Sequence, residues 1–295
     1  MSEQTTPAAD RTVPADERAI PADERTGPAG ERTGPADERT GPADERTARA
    51  EERAIPVPDR TALVVGGTSG IGLAAARQLR AGGARVHVAA RGKEALDQLA
   101  ASDPELTGHQ ADGADREQVA AVAEVIGEID WLVITLGGRE GAGPVAGLDL
   151  AMLRRAFDAK FWGQLTTIQA VLPHLAPGGS ITVVGAISAQ AGMPGTAGLA
   201  AINGAVEALV APLAVELAPV RVNGVSPGFV DTPWWSGLPG EARAAYFEQA
   251  AATLPARHIA TADDVAAVVV LAATNPNLTG TVIQADGGLH LAPAG

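Results

Sequence analysis

The chain has 295 residues, 46% apolar and 19% charged, with a formal charge of −13 and no cysteine. That is enough for one sizeable α/β domain or two small ones. The acidic balance argues against a general nucleic-acid-binding role, because phosphate backbones select a basic face. The lack of Cys excludes disulfides, thiolate metal sites and a Cys nucleophile, and fits a reducing cytoplasm; no metal is expected.

Residues 1–57 differ from the rest. A seven-residue unit, "PADERTG" and close variants, repeats from Pro14 to Ala48. The period invites a coiled-coil reading, but each unit carries Pro and almost no apolar residue, so no seam forms. Between Glu3 and Arg53 thirteen acids accompany eight arginines. The expectation is a solvated, disordered tail, either solubilising or a docking element. No apolar signal-peptide core precedes it. The longest apolar run, in "DDVAAVVVLAATN" (263–275), is too short to span a bilayer, so no membrane partner is expected.

From Asp59 strand and helix patterns alternate. Strand-like runs are "TALVVGG" (61–67), "ARVHVAAR" (84–91), "ELTGHQAD" (105–112), "IDWLVITLGG" (129–138), "GSITVVGA" (179–186), "VRVNGVSPG" (220–228) and "GTVIQADGG" (280–288). A helix opens at "IGLAAARQLRAGG", and others are expected over 114–127, 149–176, 198–218 and 261–274. This alternation predicts a single Rossmann-type α/β domain over 58–295, a doubly wound parallel sheet of seven strands in order 3-2-1-4-5-6-7.

"GGTSGIG" (66–72) sits after the first strand and opens the first helix. Gly66 permits the tight turn, Gly70 lets backbone approach a pyrophosphate, and Gly72 lets helix and strand pack closely; Thr68, Ser69 and Ile71 complete the loop. The helix N-terminus offers free N–H groups to phosphate. At the end of the second strand "AARGK" has no acid for ribose hydroxyls. Arg91, with Lys93 nearby, suits a 2′-phosphate, so NADP(H) is the expected cofactor.

The Gly-x-x-x-Gly-Ile-Gly spacing resembles the short-chain dehydrogenase/reductase family, over roughly 59–291. "HQADGAD" (109–115), "RVNGVSPGFVDTP" (221–233) and "TGTVIQADGG" (279–288) agree in order. The resemblance implies that Asp112 meets the adenine, that Gly137 lies at the cofactor, and that Pro227, Gly228, Val230 and Thr232 frame the nicotinamide. It also implies a homo-oligomer, dimer or tetramer, assembled through the fifth and sixth helices.

The chain departs from the family at the chemistry. The family's Asn, Ser, Tyr and Lys fall on Lys160, Ala186, Leu199 and Asn203. Its Thr before the first Gly is Val65, and its Asn-Asn-Ala-Gly is "ITLG" (134–137), which reads as a coordinated apolar replacement. Tyr246, the one tyrosine, lies in the substrate-loop region. Lys160, one of two lysines, is the candidate acid or base if desolvated, unless it reaches solvent or pairs with Asp158 or Glu207. Ser188 substitutes for the usual Ser if the loop shifts, and Asn203 can hold ribose hydroxyls. Arg139 faces either an anionic substrate or water. Trp234 and Trp235 form either an apolar pocket wall or a hinge plug, and His258 reads as structural. The leading expectation is an NADP(H)-dependent oxidoreductase on a small carbonyl or alcohol substrate. The alternatives are a non-redox cyclase, dehydratase or isomerase, and a non-catalytic NADP(H)-binding partner subunit.

Overall fold

The computed structural model describes residues 59–138 and 140–291. The repeat-bearing segment 1–57 and Arg139 lie outside the described residues, and so do the expectations attached to them.

Seven strands form one parallel sheet: β1 (Thr61–Val65), β2 (Arg85–Ala90), β3 (Thr107–Gln110), β4 (Ile129–Ile134), β5 (Leu175–Val184), β6 (Arg221–Pro227) and, after two short strands described below, β9 (Val282–Ala285). Their spatial order is β3-β2-β1-β4-β5-β6-β9. This is the expected order. β1 and β4 are buried at every residue, as the central strands of a sheet covered on both faces must be.

Helices α1 (Gly70–Ala81) and α2 (Lys93–Ser102) cover one face together with α9 (Ala262–Thr274), their apolar residues packing on Val64, Val86, Val88 and Val133. The other face carries α3 (Arg116–Ile126), α5 (Gly163–Val171), α6 (Ala197–Ala208) and α7 (Val210–Glu216), packed on Leu63, Val65, Leu132 and Ile181.

Three expected elements are corrected. The helix expected over 149–176 is α4 (Leu150–Phe157), one π-helical turn over Asp158–Trp162, and α5. β5 begins at Leu175, earlier than expected. Its pairing with β4 jumps from Ile129–Leu175 to Trp131–Ser180, a bulge that no alternation pattern signals. The helix expected over 198–218 is α6 and α7, which turn at Leu209.

Ala197–Glu216, 20 residues, is long and apolar enough by length and composition to cross a membrane, with mean hydropathy 1.7 over its most apolar 18-residue window. A third of that window is buried in the domain, its inner residues Ile202, Val206 and Val210 among the buried ones.

The excursion after β6 is closed at its base by two short strands, β7 (Val230–Asp231) and β8 (Ala260–Thr261), which pair in parallel. Between them lies α8 (Gly240–Thr253), in the region where the sequence reading placed only a substrate loop.

Candidate functional site

The carboxyl ends of β1, β4, β5 and β6 bring the candidate residues to one edge of the sheet, where ligands of doubly wound folds bind. The turn after β1 is set by Gly66 at φ +90° and Gly70 at φ +52°, a backbone that side chains oppose. Gly72 has no room for a side chain: a Cβ there would lie 2.5 Å from the Gly66 carbonyl oxygen and 2.5 Å from Thr135 Oγ1. Ser69 is the N-cap of α1, yet its side chain makes no capping hydrogen bond. The first-turn N–H groups of α1 are thus left to an external acceptor.

Thr135 corrects the reading of "ITLG" as a purely apolar replacement. Its hydroxyl donates to the Gly66 carbonyl at 3.0 Å, with the Val65 carbonyl at 3.2 Å. The link between β4 and the glycine turn is therefore kept, and it runs to backbone instead of a side chain at position 65. Gln164, fully buried on α5, spans the splayed ends of β4 and β5, its amide lying 3.5 Å from Leu136 O and 3.3 Å from Val184 O. Neither residue was singled out from sequence; the periodic patterns mark apolar faces and carry no sign of such cross-strand bonds.

Arg91 is exposed at the end of β2, with its guanidinium 3.9 Å from Asp112. Asp112 also accepts from Ala114 N at 3.0 Å. Lys93 is held by Asp97 on the next turn of α2 at 2.8 Å, leaving Arg91 as the more loosely held cation at this edge.

Pro227 ends β6 and Gly228 follows it. Gly228 packs flat against Asp286, where a Cβ would lie 2.8 Å from backbone. Val230 is 6% exposed, its side chain in the core and its carbonyl accepting from Trp235 Nε1 at 3.0 Å. It is thus no side-chain wall of the cleft. Thr232 lies directly over the glycine turn, 3.5 Å from where a Gly70 Cβ would stand.

Trp235 belongs to an aromatic cluster with Phe229, Tyr246 and Phe247. Burial raises the Tyr246 pKa, so the one tyrosine is a packing residue of α8 and a poor acid. Trp234 leaves that cluster at one edge and donates from Nε1 to the Gly138 carbonyl at 3.3 Å, tying the excursion to the loop after β4. His258 pairs with Asp264 at 3.2 Å at the start of α9. A separate cavity of about 350 Å³ opens between β9 and α9, lined by Phe229, Val265, Val268 and Gln284, and includes none of the candidate site residues.

On α6, Leu199 packs near Gly141. Asn203 is 4% exposed and donates from Nδ2 to Ser188 Oγ and to Leu199 O, both at 2.9 Å. Its Oδ1 is buried without a partner, an arrangement that costs stability unless a donor arrives. Gly137 and Lys160 meet at the ends of β4 and β5. The Lys160 ammonium lies 3.8 Å from a Cβ built on Gly137 and donates to the Gly185 carbonyl at 3.0 Å. The π-helical turn carries it there, and such turns recur at functional sites. Lys160 is therefore only partly exposed, its ammonium is turned in to Gly185, and among the described residues it forms no direct ion pair. Burial pulls its pKa down from 10.5 to about 8, with the Glu207 charge opposing.

An uncapped helix N-terminus, a side-chain-free glycine turn and an orphaned acceptor at Asn203 Oδ1 along one sheet edge fit a dinucleotide, with a donor such as a ribose hydroxyl at Asn203.

Comparison with known proteins agrees. A family model described as Enoyl-(Acyl carrier protein) reductase matches residues 65–290. The chain is 35% identical over 241 residues to the granaticin polyketide synthase putative ketoacyl reductase 2 of Streptomyces violaceoruber, covering 78% of this chain and 96% of that one. It is 33% identical over 245 residues to the cis-4-hydroxycyclohexanecarboxylate dehydrogenase of Sinomonas cyclohexanicum, covering 78% and 96%. Among solved structures, a small-chain dehydrogenase in complex with NADPH superposes with TM-score 0.67 at 33% identity, covering 79% of this chain and 99% of that one.

Proposed function

Because the chain belongs to the short-chain dehydrogenase/reductase family, we propose that this oxidoreductase uses NADP(H) to interconvert a small carbonyl compound and its alcohol, with Lys160 as proton donor. The observation that carries this reading is the ammonium of Lys160, desolvated at the ends of β4 and β5 beside Gly137. A group with a pKa of about 8 is protonated at neutral pH and still acidic enough to give its proton up. Leu199 leaves the usual tyrosine place without any acid.

A bound nicotinamide would supply the hydride chemistry at the substrate carbon. The chain does the rest. The glycine turn and the N-terminus of α1 hold the pyrophosphate, and Arg91 meets the 2′-phosphate. Asn203 Oδ1 accepts from a ribose hydroxyl while its Nδ2 orients Ser188. Lys160 passes its proton to the carbonyl oxygen as the alcohol forms and recovers it from solvent. Trp234, tied to Gly138, supplies an apolar wall at the mouth, which favours a semi-apolar substrate. The exposed apolar residues Leu150, Trp162 and Val215 on and around α4, α5 and α7 support assembly with further copies of the chain.

Titration of the purified protein with NADPH and NADH tests the cofactor. Tighter NADPH binding is expected, lost by about tenfold or more in Arg91→Ala while NADH binding is unchanged; equal affinity for both nucleotides would remove the NADP(H) assignment. In a carbonyl screen, Lys160→Met is expected to lower kcat by about 10²–10⁴. Substrate conversion that needs Lys160 but consumes no nucleotide would favour the second reading, a non-redox acid–base enzyme, which the loss of the tyrosine also motivates.

A further inference from the structure

Gly185, the residue that follows β5, is approached from two sides by opposite charges. Its carbonyl accepts from the Lys160 ammonium at 3.0 Å. On its other side lies Glu207 of α6: a Cβ built on Gly185 would stand 3.0 Å from Glu207 Oε1 and 3.2 Å from its Cγ. Only a residue without a side chain leaves that carboxylate its place.

Glu207 is held there from two directions. Ser226 on β6 donates its hydroxyl to Oε1 at 2.6 Å, and Gln190 after β5 donates its amide to Oε2 at 2.9 Å. The carbonyl of Gln190 is in turn fixed by the Gln284 amide on β9 at 3.1 Å. Glu207 lies four residues after Asn203, so the two occupy one face of α6. One reaches Ser188 and the other lies beside Gly185.

Other carboxylates at this end of the sheet are exposed or paired elsewhere. Asp158, on the same turn as Lys160, is exposed, and Glu140 is paired with Arg155 at 3.0 Å. Asp112 faces Arg91. Among the described residues, Glu207 is the one whose charge acts on Lys160.

We propose that Glu207 is a positioning residue of this site, the fixed counter-charge that holds the Lys160 ammonium against the end of β5. It touches neither substrate nor cofactor and acts through Lys160. Its catalytic consequence rests on the reading of Lys160 as proton donor; the electrostatic coupling itself does not.

The composition of the chain makes the coupling measurable. Lys93 and Lys160 are its two lysines, so protein labelled with ¹³C-lysine shows two Cε resonances, and Lys93→Arg identifies the exposed one. Lys160 is expected to titrate near pH 8 in the parent and to become about tenfold more acidic in Glu207→Gln, a shift of about one unit. Glu207→Asp, which keeps the charge, should recover part of the shift and serves if the Gln variant folds poorly. An unchanged Lys160 titration in folded Glu207→Gln, or equal displacement by both variants, would overturn the proposal. If Lys160 is the donor, the pH–rate profile of Glu207→Gln moves by the same amount as the resonance. If Lys160→Met retains full turnover, the donor assignment fails while the resonance still decides the role of Glu207.

Discussion

Lys160 is a residue kept at a cost. Its folded pKa of about 8 lies below the ordinary 10.5 because burial penalises the ammonium more than Glu207 favours it. Between those values the unfolded chain binds the extra proton, so stability rises with pH. The contribution is fully present above pH 10.5 and is lost as pH falls through 8, a difference of about 3 kcal/mol. Lys160→Met removes the penalty but also the hydrogen bond to Gly185, worth about 1 kcal/mol. The variant should therefore be more stable than the parent by about 2 kcal/mol at pH 7, with the advantage gone by pH 10.5. Urea melts at the two pH values measure this; an advantage independent of pH would mean that the ammonium is not desolvated. A site that retains a stability cost of this size is a candidate for function. Thr135 and Gly72 show the opposite economy, one hydroxyl and one missing side chain locking the glycine turn to β4.

At the scale of elements, two departures from regular structure border the cleft, while the bulge at the start of β5 lies at the opposite edge of the sheet. The π-helical turn carries Lys160 inward, and the paired strands β7 and β8 make the α8 excursion a closed unit hung over the mouth. The far end of the sheet holds a different feature. On neighbouring strands β2 and β3, His87 Nδ1 and His109 Nε2 lie 2.9 Å apart. Burial lowers both pKa values, and at His87 the charges of His109 and Arg85 lower it further. Folded values below 6.5 mean that the pair's contribution is complete above pH 6.5 and is lost as pH falls through the folded values. Between pH 7.5 and 5 the parent should lose more melting temperature than His109→Gln, which keeps a hydrogen-bonding side chain but cannot charge. Parallel loss in both proteins, followed by calorimetry, would show that the pair does not set the acid limit.

At the scale of the whole molecule, one sheet covered on both faces explains the buried side chains, yet apolar residues remain outside. Val215 is 81% exposed on α7 and Leu150 59% exposed on α4. Apolar side chains this exposed are candidates for coverage by a further copy of the chain. Light scattering should therefore give two or four times the 29.7 kDa chain mass, reduced in Val215→Glu. A parent protein at the mass of one chain would refute self-association.

Sequence by itself determined the sheet order and the place of the glycine turn. Both follow from local signals: apolar runs ending in glycine, helical periodicity, and strand–turn–helix spacing repeated along the chain. It also singled out Lys160, Ser188 and Asn203 as candidates, because a strong resemblance makes every departure visible. The tertiary structure decided what those residues do to one another. Lys160 meets Gly185 across 25 positions, and Thr135 meets Val65 across 70. The π-helical turn, the bulge in β5 and the partnership of Glu207 with Gly185 likewise depend on residues brought together after the sheet has formed. Periodicity reports which face of an element is apolar; it has no term for a single hydrogen bond between the ends of two strands, and that is where this site is made.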